Sequence, residues 1–289
     1  MATDPETLRL QAHEWGRLLL VRAPWEPLSE RLSLILVAPK AAQPELEEDA
    51  PPVMYALEQA PPRITMWLLI DRASAQGLPE SIRHSVLTDG IAIERHAATV
   101  DTPAVDVLVR TVEAIEQRLQ GMRRGDLELR WTLQHAEPVA DRMHRLDQLG
   151  GQSRLLPPDG LERAIRTLWL EANSAVQSLW TLETVPAHAL VPAGEVAGSL
   201  LRLACLIDHG AHPTAELLRS EAAQTRIGLR LGAWLDDVGA GVGGDDAAGR
   251  RATNAGEQVL EEVRQVLRER YADRAWLRDP AVYELRTRR

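Results

Sequence analysis

Near residue 102 the spacing of apolar side chains changes from strand-like to helical, and that switch divides the chain into two kinds of structure. Before it lie short apolar runs punctuated by proline. Arg17–Arg22 and Arg31–Val37 read as two strands around the turn Ala23-Pro24-Trp25-Glu26-Pro27, with residues 5–16 as a short helix ahead of them. Arg63–Ile70 is nearly all apolar, the pattern of a strand buried on both faces. Thr88-Asp89-Gly90 then introduces an alternating strand, Ile91–His96. Residues 39–52 carry four prolines (Pro39, Pro44, Pro51, Pro52) among Glu45, Glu47, Glu48 and Asp49, and read as a solvated loop.

After the switch, Thr102 and Pro103 suit a helix start, with Val105, Leu108, Val109, Val112, Ile115 and Leu119 on one stripe. Asp126 caps a shorter helix through Leu133, and Asp159 with Glu162 has capping-box spacing ahead of a long helix bearing Ile165, Trp169, Ala172, Val176 and Trp180. Further helices fall near 194–209, 213–220 and 223–237, and a last one carries Val259, Leu260, Val263, Val266, Leu267 and Tyr271. The expected fold class is α+β, a small mixed-sheet domain followed by an all-α bundle. The expected divisions are 1–140, a bundle over 141–238, a glycine-rich linker over 239–252, and a C-terminal helix and tail over 253–289.

A net charge of −9 argues against a general nucleic-acid coat, which needs a basic surface to release counterions. Cys205 is the single cysteine, so neither an internal disulfide nor a cysteine metal cluster can form. Phenylalanine is absent, so the eight tryptophans supply the bulky aromatic packing. No run reads as the roughly twenty apolar residues that span a bilayer. The N-terminal segment lacks the basic and apolar regions of a signal peptide, which makes the cytoplasm the expected address and leaves membranes out as partners.

Thr88-Asp89-Gly90-Ile91-Ala92-Ile93-Glu94, and later Leu127-Glu128-Leu129-Arg130-Trp131-Thr132-Leu133-Gln134-His135-Ala136 running to Asp141, resemble the DNA polymerase β-type nucleotidyltransferase superfamily, in its bacterial members with a C-terminal helical domain. The resemblance spans about residues 15–235 and rests on order and texture. It implies a glycine-serine turn, two alternating carboxylates on the second strand and a third from a neighbour, which hold two cations against a triphosphate. This sequence departs from that pattern. The turn is Ala23–Pro27, and Leu32, Ser33 and Leu34 stand where the acid pair belongs; apolar groups cannot hold magnesium, which demands oxygen ligands. Glu94 alone matches the third carboxylate.

Glu94 and His96, two apart on one strand face, together with Asp71, form either a metal- or ligand-binding cluster or a solvent-facing stripe. The resulting expectation is a nucleotidyltransferase-like protein that has lost its metal site and binds a nucleotide, a nucleic-acid end or a protein segment. It carries no resident cofactor in this reading. The alternatives are an active transferase using Mg2+ and a nucleoside triphosphate through Asp71 and Glu94, and a helical scaffold that forms a homodimer. Gly239–Gly244 fits the dinucleotide fingerprint literally, but a helix precedes it and Asp245 and Asp246 would repel a pyrophosphate. Arg202 with His209, and His212 nearby, has the spacing of helical ribonuclease toxins; His209-Gly210 also makes an ordinary helix stop. The arginines beyond Arg250 interleave with Glu257, Glu261, Glu262, Glu269 and Asp273 as an ion-paired face, with Trp276 and Tyr283 as docking side chains.

Overall fold

A computed structural model describes residues 5–37, 63–97, 104–179 and 186–278. The loop at 39–52, the Thr102-Pro103 helix start, Trp180, Tyr283 and the arginines from 286 onward lie outside the described residues. The chain forms two units. The first takes Met1–Gly121 and Leu129–Leu155, the second Met122–Glu128 and Leu156–Arg289. The fold class is α+β as expected, a mixed sheet in the first unit and an all-helical second unit.

In the first unit, helix α1 (Pro5–Leu20) leads through a 3-10 turn to strand β1 (Leu32–Leu36). There follow β2 (Arg63–Ile70), α2 (Glu80–Asp89), β3 (Ile91–His96), β4 (Ala104–Thr111), α3 (Val112–Arg118), α4 (Arg124–His135, which belongs to this unit from Leu129 on), β5 (Glu137–Asp141) and α5 (Leu146–Arg154). The five-stranded sheet has the order β3-β4-β2-β1-β5, with β2 and β4 parallel and the other pairs antiparallel. One face of the sheet presents Leu34, Leu36, Met66, Leu68, Val107 and Val109 to α1 and α2. The other presents Ile35, Trp67 and Leu69 to Val112, Ile115, Leu129 and Leu149 of the later helices. α1 lies close on its face: a Cβ at Gly16 would come within 2.9 Å of Leu34 Cδ2.

Several sequence expectations are corrected. Arg17–Arg22 is no strand; α1 runs on to Leu20, because Ala12, Trp15, Leu19 and Leu20 fall at helical spacing and face the sheet core. The helix expected from 102 is strand β4, whose Val105, Val107 and Val109 alternate into one core face. The true start of the following helix is Thr111, whose hydroxyl accepts from Ala114 N at 3.3 Å. β5 was not anticipated; Pro138 sits on it because it is an edge strand.

Arg130 holds the later helices together. It is wholly buried and donates to the carbonyls of Ser153 (3.0 Å) and Leu155 (2.9 Å) at the end of α5, and to that of Leu119 beyond α3. A cation at helix C-termini meets the negative ends of their dipoles. Gln134 adds a bond to Ser153 O at 3.0 Å. In the described fold, the Leu127–Ala136 stretch thus has a structural duty.

The second unit contains α6 (Pro158–Val176), α7 (Pro186–His209), α8 (Ala215–Ala222), α9 (Gly228–Val242), α10 (Asp246–Tyr271) and α11 (Ala275–Arg278). Ile165, Trp169, Val196, Leu200, Leu203, Leu231 and Val263 form its core. The glycine-rich segment is not a linker: α9 extends to Val242 and α10 starts at Asp246, capped by Asp245 through the amides of Ala247 and Ala248. α6 begins after Pro157 with no side-chain cap, so Asp159 sits in the first turn and Glu162 instead receives Trp276 Nε1 at 3.3 Å. Contrary to expectation, one stretch, Leu190–His209 of α7, is long and apolar enough to cross a membrane by length and composition. Its Val196, Leu200, Leu203 and Ala204 are buried against the other helices, as in a core helix.

Candidate functional site

The place where the resemblance calls for two acids is filled with packed hydrocarbon. Leu32 and Leu34 have no exposure and belong to the core under α1. Ser33, also without exposure, points to the opposite face and donates to Asp141 Oδ1 at 2.5 Å. Asp141 in turn accepts from the amides of Arg145 and Leu146 at 3.2 Å each, capping α5. Its oxygens are spent on the fold.

The sheet register places the three candidate residues. Glu94 aligns across β4 and β2 with Val107 and Met66, whereas Asp71 follows Ile70 at the far end of β2. Five residues along a strand are about 16 Å, and two strand spacings add about 10 Å across. Asp71 and Glu94 therefore cannot share one ion, and among the described residues no three His, Cys, Asp or Glu side chains converge as metal ligands. Asp71 instead shapes the turn after β2: Oδ1 accepts from Ser74 N and Oδ2 from Ser74 Oγ, both at 2.7 Å. Burial pushes its pKa up, but those bonds, the Ala73 amide and the Arg31 charge outweigh it and leave the carboxyl below its ordinary value.

Glu94 and His96 do meet. His96 Nε2 lies 3.9 Å from Glu94 Oε2, and Trp15 sets its ring edge against His96 at 4.9 Å between centroids. Burial raises the Glu94 pKa, opposed by His96 and by a hydrogen bond from Trp25. Beside Glu94 an open groove of about 470 Å³ runs between α2 and β3, with Ser81, Ser85, Asp89, Ile93 and Glu94 among its walls. Gly90, at φ +72°, makes the tight turn that lays β3 against α2; a side chain there would be strained and would strike Ala114. β3 is an edge strand, so half of its backbone donors and acceptors face away from β4. Ile93 is 53% exposed.

The remaining sequence candidates resolve as structure. His209 is exposed and ends α7, and Gly210 follows at φ +72° as its stop. His212 is buried, with Nδ1 against Pro213 O at 3.0 Å, and burial lowers its pKa. Cys205 is buried and its thiol is pushed up to about 12, which keeps it unreactive. Arg264 and Arg268 pair with Glu261, part of the ion-paired face that the sequence suggested, whereas Arg274 pairs with Glu162 of α6. Sequence reasoning missed Arg110, whose guanidinium lies over the Trp67 ring at 4.4 Å. Its signal was hidden by the helical reading of β4.

Neither a family model nor a curated protein matches the chain. Among solved structures, a nucleotidyltransferase-like protein from Exiguobacterium sibiricum 255-15 is similar at 14% identity, over 91% of this chain and 81% of that one, with a TM-score of 0.40. A likeness at that level assigns no family.

Proposed function

We propose that this chain is a nucleotidyltransferase-like protein that acts by binding rather than by metal-dependent transfer, and that it takes an extended protein segment carrying a basic side chain along β3. The single observation that carries the loss of transfer is the packing of Leu32 and Leu34 into the core, where a two-metal reaction needs oxygen ligands. The choice of ligand rests on the groove. Its charged walls are Asp89 and Glu94, which repel a triphosphate and attract a cationic side chain. The outer edge of β3 offers unpaired backbone groups to a new strand, and Ile93 offers an apolar contact alternating with Glu94.

Selection of random extended peptides on the full chain tests this. The expected peptides carry lysine or arginine next to an apolar residue, and Asp89→Asn with Glu94→Gln weakens them at least tenfold. Peptides without a basic residue, or with unchanged affinity for that double variant, would remove the reading.

A further inference from the structure

Arg110 is a part-buried cation of the first unit. It leaves β4 on the face opposite Glu94, and its guanidinium stacks on Trp67 at 4.4 Å. Its Nε is buried without a hydrogen-bond partner. Arg130 is more fully enclosed and its Nε is likewise unpartnered, but its terminal nitrogens are met by carbonyls. Arg110 is met by an aromatic ring and by the field of a second cation, Arg118.

Burial first, and then Arg118, lower the Arg110 pKa to about 10, and among the described residues no carboxylate acts on it. The nearest acid on its own strand face is Asp106, paired in register with Arg95 and already engaged in an interaction. Arg118 likewise has an interaction of its own. A guanidinium held flat on an indole keeps its planar fork fixed, which is the geometry that receives two oxygens side by side. A part-buried cation on which no carboxylate acts is costly to hold, and an anion lowers that cost.

We propose that Arg110, seated on Trp67 and reinforced by Arg118, is a binding site for an oxyanion, the phosphate or carboxylate group of a small molecule. The site is independent of the β3 groove. Glu94 and Ala92 face the α1 and α2 side of the sheet, whereas Arg110 faces the α3 side with Trp67. The two sites can therefore be tested apart.

The experiment is a thermal-shift titration of the full chain without divalent cations. Inorganic phosphate, pyrophosphate, acetate and citrate are each compared with sodium chloride at matched ionic strength. The expected result is a rise in Tm with at least one oxyanion beyond the chloride control. Arg110→Met abolishes the rise while its own Tm in chloride stays equal to or above that of the parent, because an unpaired charge has been replaced by hydrocarbon. A stronger response to phosphates assigns a phosphate-bearing ligand, and a stronger response to acetate or citrate assigns a carboxylate. Should Arg110→Met fail to fold, Arg110→Lys keeps the charge without the fork and is expected to weaken the response at least fivefold. Glu94→Gln leaves it unchanged. No response beyond chloride, or an equal response in parent and Arg110 variants, overturns the proposal.

Discussion

Ser33 and Asp141 face each other across the β1–β5 pair, and the serine hydroxyl donates to Asp141 Oδ1 at 2.5 Å. This bond ties the strand that lacks its acids to the cap of α5. Removing the hydroxyl leaves a part-buried carboxylate with one donor fewer, so Ser33→Ala is expected to cost about 1 kcal/mol. Asp141→Ala also uncaps α5 and is expected to cost about 2–3 kcal/mol. Denaturant unfolding checks both, and equal costs would show that the cap contributes nothing.

Restoring an acid to β1 does not restore a site. Leu34 sits without exposure against α1, so Leu34→Asp buries a carboxylate with no donor and is expected to destabilise the chain by about 3 kcal/mol or more at neutral pH. The loss should shrink in acid, where the group enters the core protonated. A pH-independent loss measured by denaturant unfolding would point to shape rather than charge as its cause.

Arg130 is expected to be the most sensitive position in the first unit. Arg130→Met keeps the volume but orphans the carbonyls of Leu119 and Leu155 and leaves Ser153 O with Gln134 alone. The expected cost is about 3 kcal/mol or more, since each unsatisfied buried group costs about 1 kcal/mol upward. Hydrogen exchange should show the loss concentrated in α3 and α5. A cost below about 1 kcal/mol contradicts the role given to Arg130.

These sites show what the sequence could and could not reveal. β1, β2, β3 and the middles of the long helices of the second unit were legible, because their apolar runs and 3.6-residue stripes leave one period; the glycines at 239–244 hid where α9 ends and α10 starts. β4 was not. Val105, Leu108, Val109 and Val112 fit a helical stripe, while Val105, Val107 and Val109 fit a strand equally well; pairing with β2 decided between them. Leu18-Leu19-Leu20 looked like a strand because a short apolar run has no period, and its role became clear only when Leu19 and Leu20 joined Ala12 over the sheet. Glu94 and His96 were found together as two-residue spacing requires, but the distance of Asp71 is a matter of sheet order, which one sequence does not contain. The duty of Asp141 depended on β5, and no apolar alternation announces that strand.

Glu94 should make stability depend on pH in a defined direction. Its folded pKa is raised by burial, so the folded state holds the proton more tightly than the unfolded chain does. That contribution is fully present below the ordinary carboxylate range and is lost as pH rises through the folded value. Glu94→Gln retains an acceptor for Trp25 and removes the charge. The variant is expected to melt higher than the parent at neutral pH and level with it in acid. A difference of the same size at every pH would show that desolvation of the charge is not the cause.

The account stands or falls on whether β1 has given up metal-dependent transfer. Incorporation of labelled nucleoside monophosphate should be measured for the full chain with magnesium and with manganese, beside Glu94→Ala. The predicted result is background incorporation in both proteins. Incorporation well above background that Glu94→Ala abolishes would contradict the account.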